Sequence, residues 1–179
     1  MKLEIYGDGT TALKTSQKPK AEEGYCVFKV KACGICGSDI PRAFNSKAYF
    51  YPLVPGHEFA GVVEDSTNAT IIGKRACVFP VLPCEECAEC KREEYANCVS
   101  YDYYGSRREG GMQDYLLVKE KNLVFLPDNV SFAAGAMILV AVHELIPECQ
   151  KNQRTQPYTA TMGIVLGFAT MMLLDVMLG

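Results

Sequence analysis

The sequence has no cluster of lysine or arginine and no basic stripe, and its net charge is −3. That excludes the electrostatic footprint of a nucleic-acid-binding protein. No apolar segment with a small-residue cleavage site follows Met1, so no export signal is expected, and the cytoplasm is the expected compartment. A disulfide framework is not expected there. There are no internal repeats. Residues 1–130 hold no run of helical period longer than two turns, and residues 131–179 hold two nearly uncharged runs around a short polar link.

What is there is enough for one ordinary domain and a little more, in 179 residues. Short apolar runs with a roughly two-fold period read as strands: Tyr25-Cys26-Val27-Phe28-Lys29-Val30, Phe59-Ala60-Gly61-Val62-Val63, Ala76-Cys77-Val78-Phe79-Pro80-Val81 and Tyr115-Leu116-Leu117-Val118. Asp8-Gly9, Pro55-Gly56 and Gly110-Gly111 are turn signals. Many short strands between loops predict a mainly β domain, barrel-like or a sandwich, over residues 1–130.

After Pro127-Asp128 the pattern changes. Residues 132–142 are apolar without interruption, residues 151–157 are polar, and residues 158–179 carry one charge, Asp175. As a helix the last run is about 33 Å long, enough to cross a bilayer core. Gly163 and Gly167 have the spacing that lets two membrane helices approach closely. The expectation is a two-helix apolar tail over 131–179, with a membrane helix at 158–179; a buried core helix is the alternative.

Nine cysteines in such a chain point to metal. Cys84-x2-Cys87-x2-Cys90-x7-Cys98 is the clearest local signal. Zinc takes four thiolates at about 2.3 Å in a tetrahedron, and close spacing lets one loop supply most of that shell. Glu85, Glu86, Glu89, Glu93 and Glu94 suit a solvated loop. A closed four-thiolate shell leaves no place for water or substrate, so the expected role is structural. An iron–sulfur cluster competes less well, because it needs a dry pocket that this acidic loop does not offer.

A second set lies upstream: Cys36 in Gly34-Ile35-Cys36-Gly37-Ser38-Asp39, and His57-Glu58 in Gly56-His57-Glu58-Phe59-Ala60-Gly61. One thiolate, one imidazole and one carboxylate, with a fourth position left to water, is the composition of a catalytic zinc. Such a metal lowers the pKa of a bound hydroxyl. Ser38 is placed to pass the alcohol proton outward, and Asp39 to hold the imidazole by a hydrogen bond. By spacing alone, His57 beside Glu58 also reads as a satisfied structural pair.

Cys33-Gly34-Ile35-Cys36-Gly37-Ser38-Asp39, Gly56-His57-Glu58-Phe59-Ala60-Gly61 and the four-cysteine lobe, in this order, resemble the zinc-containing medium-chain dehydrogenase family. The resemblance implies a GroES-like β domain, a catalytic zinc held by Cys36 and His57, and hydride transfer to NAD(P). Within the family it is closer to the polyol branch of galactitol-1-phosphate and sorbitol dehydrogenases. The segments that carry this are Asp39-Ile40-Pro41-Arg42, Ala48-Tyr49-Phe50-Tyr51-Pro52-Leu53-Val54-Pro55 and Tyr101-Asp102-Tyr103-Tyr104-Gly105-Ser106-Arg107-Arg108-Glu109-Gly110-Gly111. In that branch Glu58 is near or on the catalytic metal. The likeness covers about residues 1–132. A phosphorylated polyol would welcome an arginine, but Arg42, Arg107 and Arg108 read equally well as surface residues.

Two departures stand against the family pattern. Gly163-x3-Gly167 lacks the Gly-x-Gly-x-x-Gly arrangement, and no strand precedes it, so no nucleotide-binding domain is expected within these residues. The polyol branch also has a further zinc-associated glutamate, and its position falls here on Leu139, which cannot ligate zinc; His143 and Glu144 stand nearby at a different spacing. The tail, in Ser131-Phe132-Ala133-Ala134-Gly135-Ala136-Met137-Ile138, Glu144-Leu145-Ile146-Pro147-Glu148 and from Gly163 to Gly179, resembles the last two spans of ZIP-family metal transporters.

The sequence therefore predicts the catalytic domain of a zinc-dependent polyol or polyol-phosphate dehydrogenase. Its zinc ligands are Cys36 and His57, with Glu58 as ligand or acid/base partner and Ser38 as proton relay, and a structural zinc sits on Cys84, Cys87, Cys90 and Cys98. NAD(P) is implied by the family and not by these residues, so the chain alone is expected to be inactive. The small-molecule partner is a polyol; nucleic acid is not a partner, and an oligomer is left open. Two alternatives are carried: a non-catalytic zinc domain on a membrane tail, and a ZIP-type transporter fragment fused to a dehydrogenase domain.

Overall fold

The structure is a computed structural model and describes residues 1–140. The expected span at 158–179, the ZIP-like segments beyond Val140, His143 and Glu144 lie outside the described residues. Among the described residues no helix is long and apolar enough to cross a membrane.

The chain opens with a hairpin, β1 (Lys2–Ile5) and β2 (Thr11–Lys14), paired antiparallel. Asp8 closes its turn by accepting the Thr10 amide at 2.9 Å. Then come β3 (Tyr25–Cys33), the short helix α1 (Asp39–Phe44), β4 (Phe59–Ser66) and β5 (Arg75–Val78). Two short strands, β6 (Val81–Leu82) and β7 (Asp102–Tyr103), bracket the helical turn α2 (Ala88–Lys91). The chain continues through β8 (Tyr115–Lys119), β9 (Leu123–Phe125) and the helix α3 (Phe132–Val140).

Five of these strands form one antiparallel sheet in the order β8-β3-β4-β5-β9. The β1-β2 hairpin is a separate sheet, and β1 makes isolated bridges from Lys2 to Gln113 and from Ile5 to Leu53. The described residues are thus mainly β. The helix α3 occupies residues 132–140, and the rest of the expected two-helix tail lies outside the described residues.

Four strands were legible as alternating runs, but the third run is broken. Residues 76–81 form the end of β5 and the start of β6, with Phe79-Pro80 between them. Proline has no N–H to give a ladder. Its carbonyl takes the Tyr104 amide at 3.1 Å, and Phe79 donates to Asn122 O at 2.8 Å. The break turns the chain out of the main sheet toward the four-cysteine loop.

The core lies on the inner face of the main sheet. Phe28, Phe59 and Tyr104 stack edge-to-face, with ring centroids 6.1 and 6.0 Å apart. Such pairs add about 0.5–1.5 kcal/mol beyond the apolar area they bury. Tyr104 is buried with its hydroxyl accepting the Lys119 amide at 3.1 Å, so its polar end is satisfied by β8. Pairing of β3 with β4 carries irregularities at Val27/Phe28 and Val30/Ala32. The second lies just before Cys33 and re-aims the end of β3 toward the loop that follows.

Candidate metal centres

The β3–β4 ladder ends at Cys33 opposite Phe59. That register sets the loop after β3 against the residues just before β4, which are His57 and Glu58. Gly34 donates to Glu58 O at 2.7 Å. A Cβ on Gly34 would stand 2.5 Å from Glu58 Oε2, so glycine leaves the space in which the carboxylate lies. Cys36 is fixed from both sides: its amide donates to Asp39 Oδ2 at 3.0 Å, and its carbonyl accepts the Asp39 amide at 3.0 Å.

The result is that one ligand atom each from Cys36, His57 and Glu58 lie within 4.8 Å of one another. His57 is 3% exposed, with Nε2 4.0 Å from Glu58 Oε1 and Nδ1 3.7 Å from Asp39 Oδ1. The Asp39 separation is longer than a hydrogen bond, and Nδ1 is a buried nitrogen without a hydrogen-bond partner. Burial alone would push the His57 pKa down. The Asp39 carboxylate and the Cys36 sulfur outweigh it, and the pKa lies above the ordinary value. Burial raises the Asp39 pKa too, but His57, the Cys36 amide and Arg42 together hold it below the usual range. Cys33, beside the trio, is pushed up to about 12 by burial and by the charges of Asp39 and Glu58.

This donor set fits a zinc ion. Thiolate, imidazole and carboxylate are the zinc ligand types, three from the protein leave one position open, and the orphaned imidazole is a buried group that needs a partner. Ser38 stands at the start of α1, exposed, outside the trio; its Oγ accepts from Arg42 Nη1 at 3.0 Å. Arg42 also reaches Asp39 Oδ1 at 3.3 Å. The link between Arg42 and Ser38 was not foreseen, although their spacing of four residues on a helix start carries the signal. Nor was Tyr103, whose ring lies 5.6 Å from that of His57; nothing in the sequence spacing marks that contact.

Backbone packing supports the site from below. Gly56 has φ +95, and a Cβ there would meet Cys33 Sγ at 2.5 Å. Gly105 and Gly110 both press on the Gly56 backbone, and a Cβ on Gly105 would lie 2.6 Å from Gly56 O. Gly111 donates to that same carbonyl at 2.7 Å.

The second centre comes from one loop. Cys84, Cys87, Cys90 and Cys98 bring their sulfurs within 4.8 Å of one another. Cys84 and Cys98 are 3.4 Å apart, Cys84 and Cys90 3.9 Å, and Cys87 and Cys98 4.0 Å. A zinc tetrahedron with arms of 2.3 Å has edges of about 3.8 Å. These three separations bracket that value, so the donor set fits zinc. Backbone amides of Glu86 and Cys87, with Cys98, pull the Cys84 thiol down to about 6, toward the thiolate a metal needs. Glu85 and Glu93 adopt positive φ of 67 and 62 in the tight turns that make this possible. The Glu85 carboxylate is paired with Lys121.

Residues 22–128 match the alcohol dehydrogenase GroES-like domain. Galactitol 1-phosphate 5-dehydrogenase of Escherichia coli K12 is 40% identical over 113 residues, which is 62% of this chain and 33% of that one. The D-arabitol-phosphate dehydrogenase of Enterococcus avium is 37% identical over 127 residues, 66% of this chain and 35% of that one. Among solved structures, galactitol-1-phosphate dehydrogenase from Escherichia coli superposes with a TM-score of 0.73 at 35% identity, over 76% of this chain and 41% of that one. A short chain alcohol dehydrogenase of Escherichia coli CFT073, solved with its cofactor NADH, gives 0.71 at 29%, over 76% and 41%. The chain spans about a third of the length of the curated relatives it matches. Matching fold, matching order of motifs and a family match over more than half its length agree: the chain belongs to the alcohol dehydrogenase GroES-like domain family.

Proposed function

We propose that residues 1–130 are the catalytic half of a zinc-dependent, NAD(P)-linked dehydrogenase of a polyol or polyol phosphate. The observation that carries this reading is the convergence of Cys36, His57 and Glu58 within 4.8 Å, with Asp39 behind the imidazole. The names of the polyol dehydrogenases it resembles support the substrate class.

In this reading Cys36 and His57 hold the metal, and Glu58 either completes the set or exchanges a proton beside it. Zinc held there would lower the pKa of a substrate hydroxyl. His57 would ligate through a ring nitrogen, with Asp39 3.7 Å from Nδ1 and Glu58 4.0 Å from Nε2. Ser38 Oγ already accepts one N–H from Arg42. Its remaining lone pair receives the alcohol proton while its own proton passes to solvent. Leucine at position 139 cannot ligate a metal. The four-cysteine lobe holds a second zinc that fixes its loop and takes no part in the chemistry.

The same proposal includes a tail. What supports a membrane anchor at 158–179 is a run of 22 residues with one charge. Hydride transfer needs a nicotinamide held against the reacting carbon, and these 179 residues carry no Gly-x-Gly-x-x-Gly loop to hold it. The chain by itself therefore binds metal and polyol without turnover.

Cobalt substitution tests the reading without activity. Two cobalt ions per chain are expected, with visible bands of a thiolate-containing tetrahedral site. Addition of a polyol shifts the bands of one ion, and Cys36→Ser removes that ion and the shift. One ion per chain, or bands indifferent to polyol, would remove the catalytic assignment.

A further inference from the structure

We propose that Arg42 is a positioning residue of the metal trio: one of its nitrogens holds Ser38 and Asp39 together, and through Asp39 it keeps Cys36 and His57 in place for the metal. The proposal rests on the reading of the trio as a zinc centre.

Asp39 stands behind two of the three ligands. It is 5% exposed, and its two oxygens have different duties. Oδ2 accepts the Cys36 amide at 3.0 Å, which fixes the backbone that carries the thiol. Oδ1 faces His57 Nδ1 at 3.7 Å. That is longer than a hydrogen bond, so the imidazole does not hold the carboxylate there. A carboxylate bonded at one oxygen alone is free to turn about its Cβ–Cγ bond. What stops the turn is Arg42, whose Nη1 donates to Oδ1 at 3.3 Å. The pair is shielded, with the arginine side chain 17% exposed and that of Asp39 6%. A charge-assisted bond in such a place is stronger than the same bond in water.

The same nitrogen has a second hydrogen, and it goes to Ser38 Oγ at 3.0 Å. Ser38 is the N-cap residue of α1, where a serine hydroxyl ordinarily accepts a backbone amide of the first turn. Here it makes no such bond. Its oxygen is turned to Arg42 instead, which leaves its own proton to be donated elsewhere. Asp39 and Ser38 are three and four residues before Arg42 on a helix start, so one arginine reaches both.

The arginine is itself held by backbone contacts from two other segments. Its carbonyl accepts Tyr51 Oη at 2.6 Å, and the Ala43 carbonyl accepts the Gly9 amide at 2.9 Å. Gly7 O takes the Ser46 amide at 2.8 Å and the Ser46 hydroxyl at 3.0 Å. The turn of the β1–β2 hairpin and the loop before β4 thus pin α1. Arg42 passes that fixed position on to Ser38 and Asp39.

Cobalt binding to the 179-residue chain tests this, with the four-cysteine lobe as the internal standard. In Arg42→Met the trio is expected to hold cobalt about tenfold less tightly, the low end for loss of a group behind a metal ligand, while the lobe is unchanged. The ligand-field bands of the trio cobalt should change shape, because imidazole and thiolate are reoriented. Arg42→Lys should keep part of the affinity, since a shorter, compact ammonium satisfies one partner and not both. Methylguanidinium added to Arg42→Ala should restore affinity and bands, and methylurea, similar in shape but uncharged, should not. Unchanged affinity and bands in Arg42→Met overturn the proposal. So does restoration by methylurea, which would make Arg42 a filler of space. Equal loss from both centres in Arg42→Met and in Arg42→Lys overturns it too, and would make Arg42 a support of the fold as a whole. One cobalt ion in the unaltered chain, held in the lobe, refutes the zinc reading; two ions with an indifferent Arg42→Met refute the role of Arg42 alone.

Discussion

Gly34 and Glu58 share one small volume: a single carbon added to the glycine would stand 2.5 Å from the carboxylate oxygen Glu58 Oε2. The carboxylate lies beside Cys36 and His57 because residue 34 has no side chain. Gly34→Ala is therefore expected to push Glu58 out of the trio. Metal at that centre should weaken by about tenfold or more, since a ligand or its immediate partner is displaced. Metal in the four-cysteine lobe should be unchanged. Competition titrations with a chromophoric chelator measure both; equal loss from both centres would mean general unfolding.

The lobe is expected to keep its zinc whatever happens at the trio, because all four ligands come from residues 84–98 and already stand at tetrahedral spacing. Cys84→Ser should lose one tightly held zinc per chain by elemental analysis. An unchanged count would refute the assignment of the lobe.

Cys26 is fully buried in the core, and its thiol is pushed up to about 12, first by burial and then by the charge of Glu120. In the unfolded chain the same thiol ionises near 9. The group therefore contributes stability that is complete below pH 9 and is lost as pH rises toward 12. Between those limits the unfolded state binds about one proton fewer, a slope of about 1.4 kcal/mol per pH unit. Denaturant midpoints from pH 8 to 11 should fall less steeply in Cys26→Val than in the unaltered chain. Parallel curves would show that this thiol does not titrate on unfolding.

No oxidation of sorbitol, galactitol or galactitol 1-phosphate with NAD or NADP is expected from the 179 residues alone. Orientation of hydride donor and acceptor carries much of the rate, and nothing in these residues supplies it for the nicotinamide. Turnover that disappears in Cys36→Ser would refute this and point to a nucleotide site of another kind.

The tail is expected to hold the full chain in membranes, while a chain ended at Asn129 stays in the supernatant. Carbonate extraction of the two compares them directly. Lys151 and Arg154, in the link between the apolar runs, favour the cytoplasmic side. A full-length protein that remains monomeric in water would exclude the anchor.

How much of this was legible depended on whether the signal was local. Cys84, Cys87, Cys90 and Cys98 could be read as one centre because a single loop carries them. Cys36, His57 and Glu58 were legible through the resemblance of their motifs, since their meeting depends on the pairing of Cys33 with Phe59. Strand runs at Tyr25, Phe59 and Tyr115 showed themselves by alternation. The break at Phe79-Pro80 did not, because the run looks continuous until the missing proline N–H is counted. The contact of His57 with Tyr103 joins segments remote in sequence and leaves no periodic trace.

The backbone contacts among Gly56, Gly105 and Gly110 have a consequence for how such a site changes over generations. Where main chain rests on main chain, no neighbouring side chain can shrink to make room, and a single substitution cannot be absorbed by repacking. Gly105, Gly110 and Gly111 are thereby held against Gly56, the residue before His57. Change in this region falls instead on the side chains between the glycines and around them, Tyr101, Tyr103 and Arg107 among them. The platform stays fixed, and new preferences are reached by exchanging what is mounted on it.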